Sequence, residues 1–125
     1  MITLTDYPKI NIMDLIKYSQ LINYLNTLNL PEELSTKEQL KFKNKAKYYL
    51  TKNGILYRRN KKDLEQPLKV IRSTEIEEVL FNNHATTHTG HFRIETTYHR
   101  IIQNYYWPRM HLDIEKYIKA CDMCQ

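Results

Sequence analysis

Apolar side chains recur along the chain at spacings that change character several times. Leu15, Tyr18, Ile22 and Leu25 lie three or four residues apart, which puts them on one face of a helix over about residues 13–27, with Pro31 expected to stop it. Ser35 and Glu38 have the spacing of a capping box, in which each side chain satisfies a backbone N–H at a helix start. Leu40, Phe42, Ala46 and Tyr49 then supply a rough helical stripe. The pattern next shortens to the β-prone runs Tyr48-Tyr49-Leu50-Thr51 and Ile55-Leu56-Tyr57-Arg58. They flank Lys52-Asn53-Gly54, whose Asn-Gly pair suits the positive φ angles of a tight hairpin. After a polar loop over residues 59–66, residues 67–71 form a candidate third strand. Thr74 and Glu77 repeat the capping-box spacing ahead of Ile76, Val79 and Leu80, and that helix runs into His84. Ile94, Tyr98, Ile101 and Ile102 share one face of a helix over about residues 93–104. Pro108 is expected in the first turn of a last helix carrying Met110, Ile114, Tyr117 and Ile118.

Composition narrows the class. The 125 residues are 42% hydrophobic and 26% charged, which suits one small soluble globular protein. No apolar run is long enough for a membrane span, and Asp6, Lys9 and Asp14 interrupt the N-terminal stretch where a secretory signal would be continuous. The two cysteines sit together near the C-terminus, unlike a secreted disulfide scaffold, so a reducing intracellular compartment is expected. Charge divides the chain more sharply than composition does. Residues 1–36 carry two basic and four acidic side chains, residues 37–72 twelve and three, and residues 73–125 five and seven. The segment nets are −2, +9 and −2, so the basic charge belongs to the middle third.

The residues able to carry chemistry lie in the last third. Six residues separate His84 from His91, twenty-nine follow to Cys121, and Cys121 and Cys124 form a Cys-x-x-Cys. Two imidazoles and two thiolates make the closed tetrahedral donor set of structural zinc. One ion would tie together three short helices that could barely fill a core alone. A redox pair is the competing reading of Cys-x-x-Cys, but such a motif belongs beside a βαβ pattern absent from this sequence. His88 has a compatible spacing from either His84 or Cys121, so spacing alone leaves open which histidines bind. His99 and His111 read as surface or core-edge residues. Asp113, Glu115 and Asp122 read as a solvated face and as charge complementing a helix dipole.

The run His84-Ala-Thr-Thr-His-Thr-Gly-His91-Phe92, then Tyr105-Tyr106-Trp107-Pro108-Arg109-Met110, the segment Asp113-Ile114-Glu115-Lys116-Tyr117-Ile118, and Cys121-Asp-Met-Cys124-Gln125 together resemble the zinc-binding domain of gypsy-type LTR retrotransposon integrases. Asn53-Gly54-Ile55-Leu56-Tyr57-Arg58 is similar to the N-terminal extension of those integrases, and Tyr24-Leu25 with Pro31 to the segment before it. The resemblance implies that His84, His91, Cys121 and Cys124 ligate one zinc ion and that Trp107 and Met110 belong to the helical core. Arg93 stands where the family usually has a second glycine. A family integrase also has an RNase H-like catalytic core with three metal-holding carboxylates. No carboxylate trio here has that spacing, so these residues are expected to bind rather than to catalyse.

The expected architecture is therefore α+β: N-terminal helices (1–36), a basic helix with a small hairpin or three-strand extension (37–72), and a zinc-stapled three-helix domain (73–125). Lys41, Lys43, Lys45, Lys47, Arg58, Arg59, Lys61 and Lys62 are candidates for phosphate contact, against the alternative that they only solvate a surface. No base-reading motif is visible, so DNA of low specificity, including retroelement ends by resemblance, is the expected partner. Self-association or pairing with an integrase is expected beside it, and no membrane. The resemblance places the chain in the nucleus or a cytoplasmic virus-like particle. The competing functions are a protein-interaction module derived from such an integrase, and a polyprotein fragment with no role of its own.

Overall fold

The computed structural model describes residues 12–84 and 94–120. These form α1 (Ile12–Thr27), α2 (Thr36–Ala46), β1 (Tyr49–Lys52), β2 (Ile55–Arg58), β3 (Leu68–Val70), α3 (Ile76–His84), α4 (Ile94–Ile102), β4 (Tyr105–Tyr106) and α5 (Met110–Lys119). The fold is α+β, and the described chain divides into two compact units, one over residues 12–70 and the other beginning at Ile71.

In the first unit, α1 ends well ahead of Pro31. Leu28 adopts a left-handed φ of 64°, and its N–H donates to the Tyr24 carbonyl at 2.7 Å. The Thr27 hydroxyl donates back to the Asn23 carbonyl and accepts the Asn29 N–H, so local hydrogen bonding closes this helix before proline can. Ser35 caps α2 as expected. The Glu38 N–H donates to Ser35 Oγ at 3.2 Å, and the Ser35 N–H donates to Glu38 Oε1 at 3.1 Å. That bond from the Ser35 backbone is the main reason the Glu38 carboxyl sits below its ordinary pKa.

The stripe expected on α2 is corrected in two places. Leu40 is 61% exposed, because it lies about 200° around the helix from Phe42, which with Ala46 faces the core. Tyr49 is buried, but from β1. On α1 the most buried residue is Leu21, one position from the expected Tyr18–Ile22 pair. Asn53 (φ 54°) and Gly54 (φ 76°) turn the hairpin, pairing Lys52 with Ile55 and Thr51 with Leu56. β3 then pairs antiparallel with β2, Tyr57 opposite Lys69. Tyr18, Leu21, Ala46, Tyr49 and Leu56 form the core, and the Leu56 N–H donates to the Tyr18 hydroxyl at 3.2 Å, fixing α1 to the hairpin.

The second unit packs α4 against both α3 and α5. Its core is Ile71, Ile76, Val79, Leu80, Ile101, Trp107, Ile114, Tyr117 and Ile118. β4, which the sequence pattern did not suggest, supplies the Tyr106 carbonyl to the Ile71 N–H at 2.9 Å. At the start of α3 the carboxylate reaching back three residues is that of Glu75, accepting from both the Arg72 N–H and Arg72 Nε, rather than that of Glu77. Pro108 lies in a turn before α5 instead of in its first turn. Arg109 takes a left-handed φ of 63°, and its carbonyl accepts the N–H groups of Leu112 and Asp113 to open the helix.

Candidate metal centre and basic surface

His84 is the last residue of α3, and the Ala120 N–H closes the C-terminus of α5 on the carbonyls of Lys116 and Ile118, immediately before Cys121. The frame that would present a first histidine and both cysteines thus comes from two helix C-termini of one unit, with α4 packed on both helices. His88, His91, Cys121, Asp122 and Cys124 lie outside the described residues. Among the described residues no three His, Cys, Asp or Glu side chains form a metal-binding group. The donor set fits zinc on its chemistry, since two imidazoles and two thiolates complete a tetrahedron and leave no open position.

The start of α5 departs from expectation. Asp113 is no solvated helix-face residue: it accepts the Trp107 Nε1–H at 2.7 Å, and Trp107 is itself only 2% exposed. Burial pushes the Asp113 carboxyl above its ordinary pKa, against the opposing pull of the indole N–H, Lys116 and Arg109. The tryptophan is thus held by its polar edge as well as by its ring, which sets where α5 begins. Glu115 behaves as expected of a helix-face residue. It pairs with Lys119 at 2.7 Å, and the Lys119 hydrogen bond holds its carboxyl below the usual range. His111 lies exposed, edge-on to the Tyr98 ring at 4.9 Å, and His99 is exposed.

On the first unit the basic residues are sorted by the fold. Lys45, Lys47 and Arg58 line one shallow basin with Asn44 and Tyr48. The Arg58 guanidinium stands 5.5 Å from the centroids of both the Tyr48 and Tyr49 rings and donates to the Tyr49 hydroxyl, while Lys61 Nζ lies 5.9 Å from the Tyr48 ring. Burial lowers the Lys45 pKa, and the like charges of Lys17 and Arg58 lower it further, with Asp14 opposing. Lys41 and Lys43 are exposed on α2 outside the basin lining, and Lys62 is exposed on the loop after β2. Arg59 is committed to the backbone, donating from Nε to the Lys47 carbonyl at 3.1 Å.

Lys43 and Lys45 also complement the negative end of the α2 dipole, a stabilising role that needs no ligand. Lys17 and Tyr48 escaped the sequence reading. Lys17 sits in the segment counted as acidic, and only folding brings its charge to bear on Lys45. The alternation of a strand that buries Tyr49 was the available signal that Tyr48 faces outward.

A unit of three helices in which the C-termini of α3 and α5 lead into the His84 and Cys-x-x-Cys segments has the frame of a small metal-stapled module. Residues 71–125 match the family model of the integrase zinc binding domain. No curated protein matches the chain.

Proposed function

We propose that the chain is a zinc-folded, nucleic-acid-binding and multimerising module equivalent to the N-terminal part of a gypsy-type retrotransposon integrase, and that it binds rather than catalyses. The observation that carries this reading is the integrase zinc-binding match over residues 71–125, following directly on a unit in which Lys45, Lys47 and Arg58 line one basin. His84, His91, Cys121 and Cys124 hold one structural ion, which supplies cross-links between helix ends that a core of this size lacks. Lys45, Lys47 and Arg58, with Lys61 beside them, supply the phosphate-facing charge of the basin, and the exposed Lys41, Lys43 and Lys62 add to the positive field of this unit. Thiolate ligands require a reducing compartment, in keeping with an intracellular site of action.

Two measurements test the reading. Metal analysis of protein purified without chelator should find one zinc per chain. His91→Ala should lose it and His88→Ala keep it, and the reverse result would reassign the ligands. In DNA-binding titrations each neutralised duplex phosphate contributes about −0.9 to the slope of log affinity against log salt. Replacing Lys41, Lys43, Lys45 and Lys47 together by Gln should flatten that slope and weaken binding. Unchanged affinity and slope would leave those lysines a solvated face and move the protein-interaction function ahead.

A further inference from the structure

Tyr48 is held in an unusual position for a tyrosine of this chain. Among the described residues it is the one exposed tyrosine, 49% accessible, whereas its neighbour Tyr49 is 6% accessible. Its backbone is fixed on both sides: the N–H donates to the Lys45 carbonyl at 3.1 Å, and the carbonyl accepts the Arg59 N–H at 2.8 Å. With Tyr49 occupying the inward position of β1, the Tyr48 ring has no core place to retreat to. Around it stand Lys45, Lys47, Arg58 and Lys61, with Arg58 immobilised by its bond to the Tyr49 hydroxyl.

Resting on the nucleic-acid reading above, we propose that the basin of Lys45, Lys47, Tyr48 and Arg58 seats an unpaired nucleotide, so that the chain prefers single-stranded DNA, or a single-stranded end, to intact duplex. Phosphate recognition alone needs only the cations. An exposed ring set among them adds a flat surface for a base, and a base in a duplex has both faces already stacked. Base-on-tyrosine stacking with the sugar-phosphate beside it uses both halves of the basin at once. The arrangement also relieves a cost, because Lys45 is partly desolvated and repelled by Lys17 and Arg58, and a phosphate placed there offsets that repulsion. Arg58 and Lys61 stand over the Tyr48 ring at 5.5 and 5.9 Å from its centroid, so a stacking base takes the place of the exposed Lys61 and leaves that ammonium free for the adjacent phosphate, while Arg58 stays held by the Tyr49 hydroxyl.

The test uses the full zinc-loaded chain and fluorescence anisotropy at one fixed salt concentration, comparing a labelled oligothymidylate with a duplex of the same length. The single strand should bind more tightly. Stacking contributes about 1–3 kcal/mol per base, so Tyr48→Ala and Tyr48→Leu should weaken single-strand binding by roughly 5- to 150-fold while changing duplex affinity less than about twofold. Tyr48→Phe and Tyr48→Trp, which keep a ring, should restore the preference. Equal or tighter duplex binding, or a Tyr48→Leu variant that weakens both DNAs alike or neither, overturns this proposal, whereas the nucleic-acid reading stands as long as the unaltered chain binds duplex with a salt-dependent slope. Absence of binding to either DNA by the unaltered chain overturns the nucleic-acid reading itself, and this proposal with it.

Discussion

Asp113 offers the sharpest check on how the second unit is held together. Replacing it with Ala leaves the Trp107 indole N–H, on a ring 2% exposed, without the carboxylate 2.7 Å away, and a buried donor left unpaired costs about 1–3 kcal/mol. Loss of an acidic side chain from the first turn of α5 adds roughly 0.3–1 kcal/mol. The relief of Asp113 desolvation opposes both, so a net loss of about 1–2 kcal/mol is expected, or several degrees in Tm for a domain of this size. Asp113→Asn keeps an acceptor oxygen and removes the buried charge, and should stay within about 1 kcal/mol of the unaltered protein.

Chemical denaturation followed by fluorescence reads the effect directly, because Trp107 is the only tryptophan of the chain. The pH dependence has a definite sign. The folded-state pKa of Asp113 is raised above the ordinary 3.8, so the unfolded chain releases this proton first. Stability therefore falls as pH rises from the ordinary value through the raised one, and the full cost persists at neutral pH. The unaltered protein should lose ground to Asp113→Asn over that window, a difference in which acid release of metal, common to both, cancels. Equal stability of the Ala and Asn variants, or a gap that widens in the opposite direction with pH, would refute the buried Trp107–Asp113 bond.

Two further outcomes concern the first unit. Leu56→Ala, at a side chain 1% exposed in the core under the hairpin, should destabilise by about 2–5 kcal/mol and be visible as lost hydrogen-exchange protection of the β1–β2 amides. At Gly54 a Cβ would meet no atom within 4 Å, so Gly54→Ala should cost only the left-handed backbone strain, about 1–2 kcal/mol. Gly54→Asn should cost less, and a neutral Ala variant in denaturant titration would argue against the positive φ of that turn.

Elements set by local chemistry were legible in the chain. The Ser35–Glu38 capping box, the Asn53-Gly54 turn and the apolar stripe of α5 each depend on residues a few positions apart, and each stands where its pattern put it. The runs from His84 to Phe92, Tyr105 to Met110 and Cys121 to Gln125 likewise carried the resemblance to the integrase zinc-binding domain whose family model matches residues 71–125, because motif residues and their spacing are local properties of a sequence. Tertiary structure decided what depends on distant partners. The short strand at Tyr105–Tyr106, whose Tyr106 carbonyl accepts the Ile71 N–H, and the burial of the Phe42 and Ala46 face of α2 in place of the Leu40 face follow from packing and hydrogen bonds with distant residues that no periodicity encodes. Asp113 reads as a surface charge until Trp107 folds over it. The alternating lysines read as a ring around a helix until the hairpin brings Arg58 and Tyr48 beside Lys45 and Lys47, and α1 brings the charge of Lys17 to bear on Lys45. Charge along a sequence gives only a sum, whereas the field at one side chain depends on distances that exist only after folding.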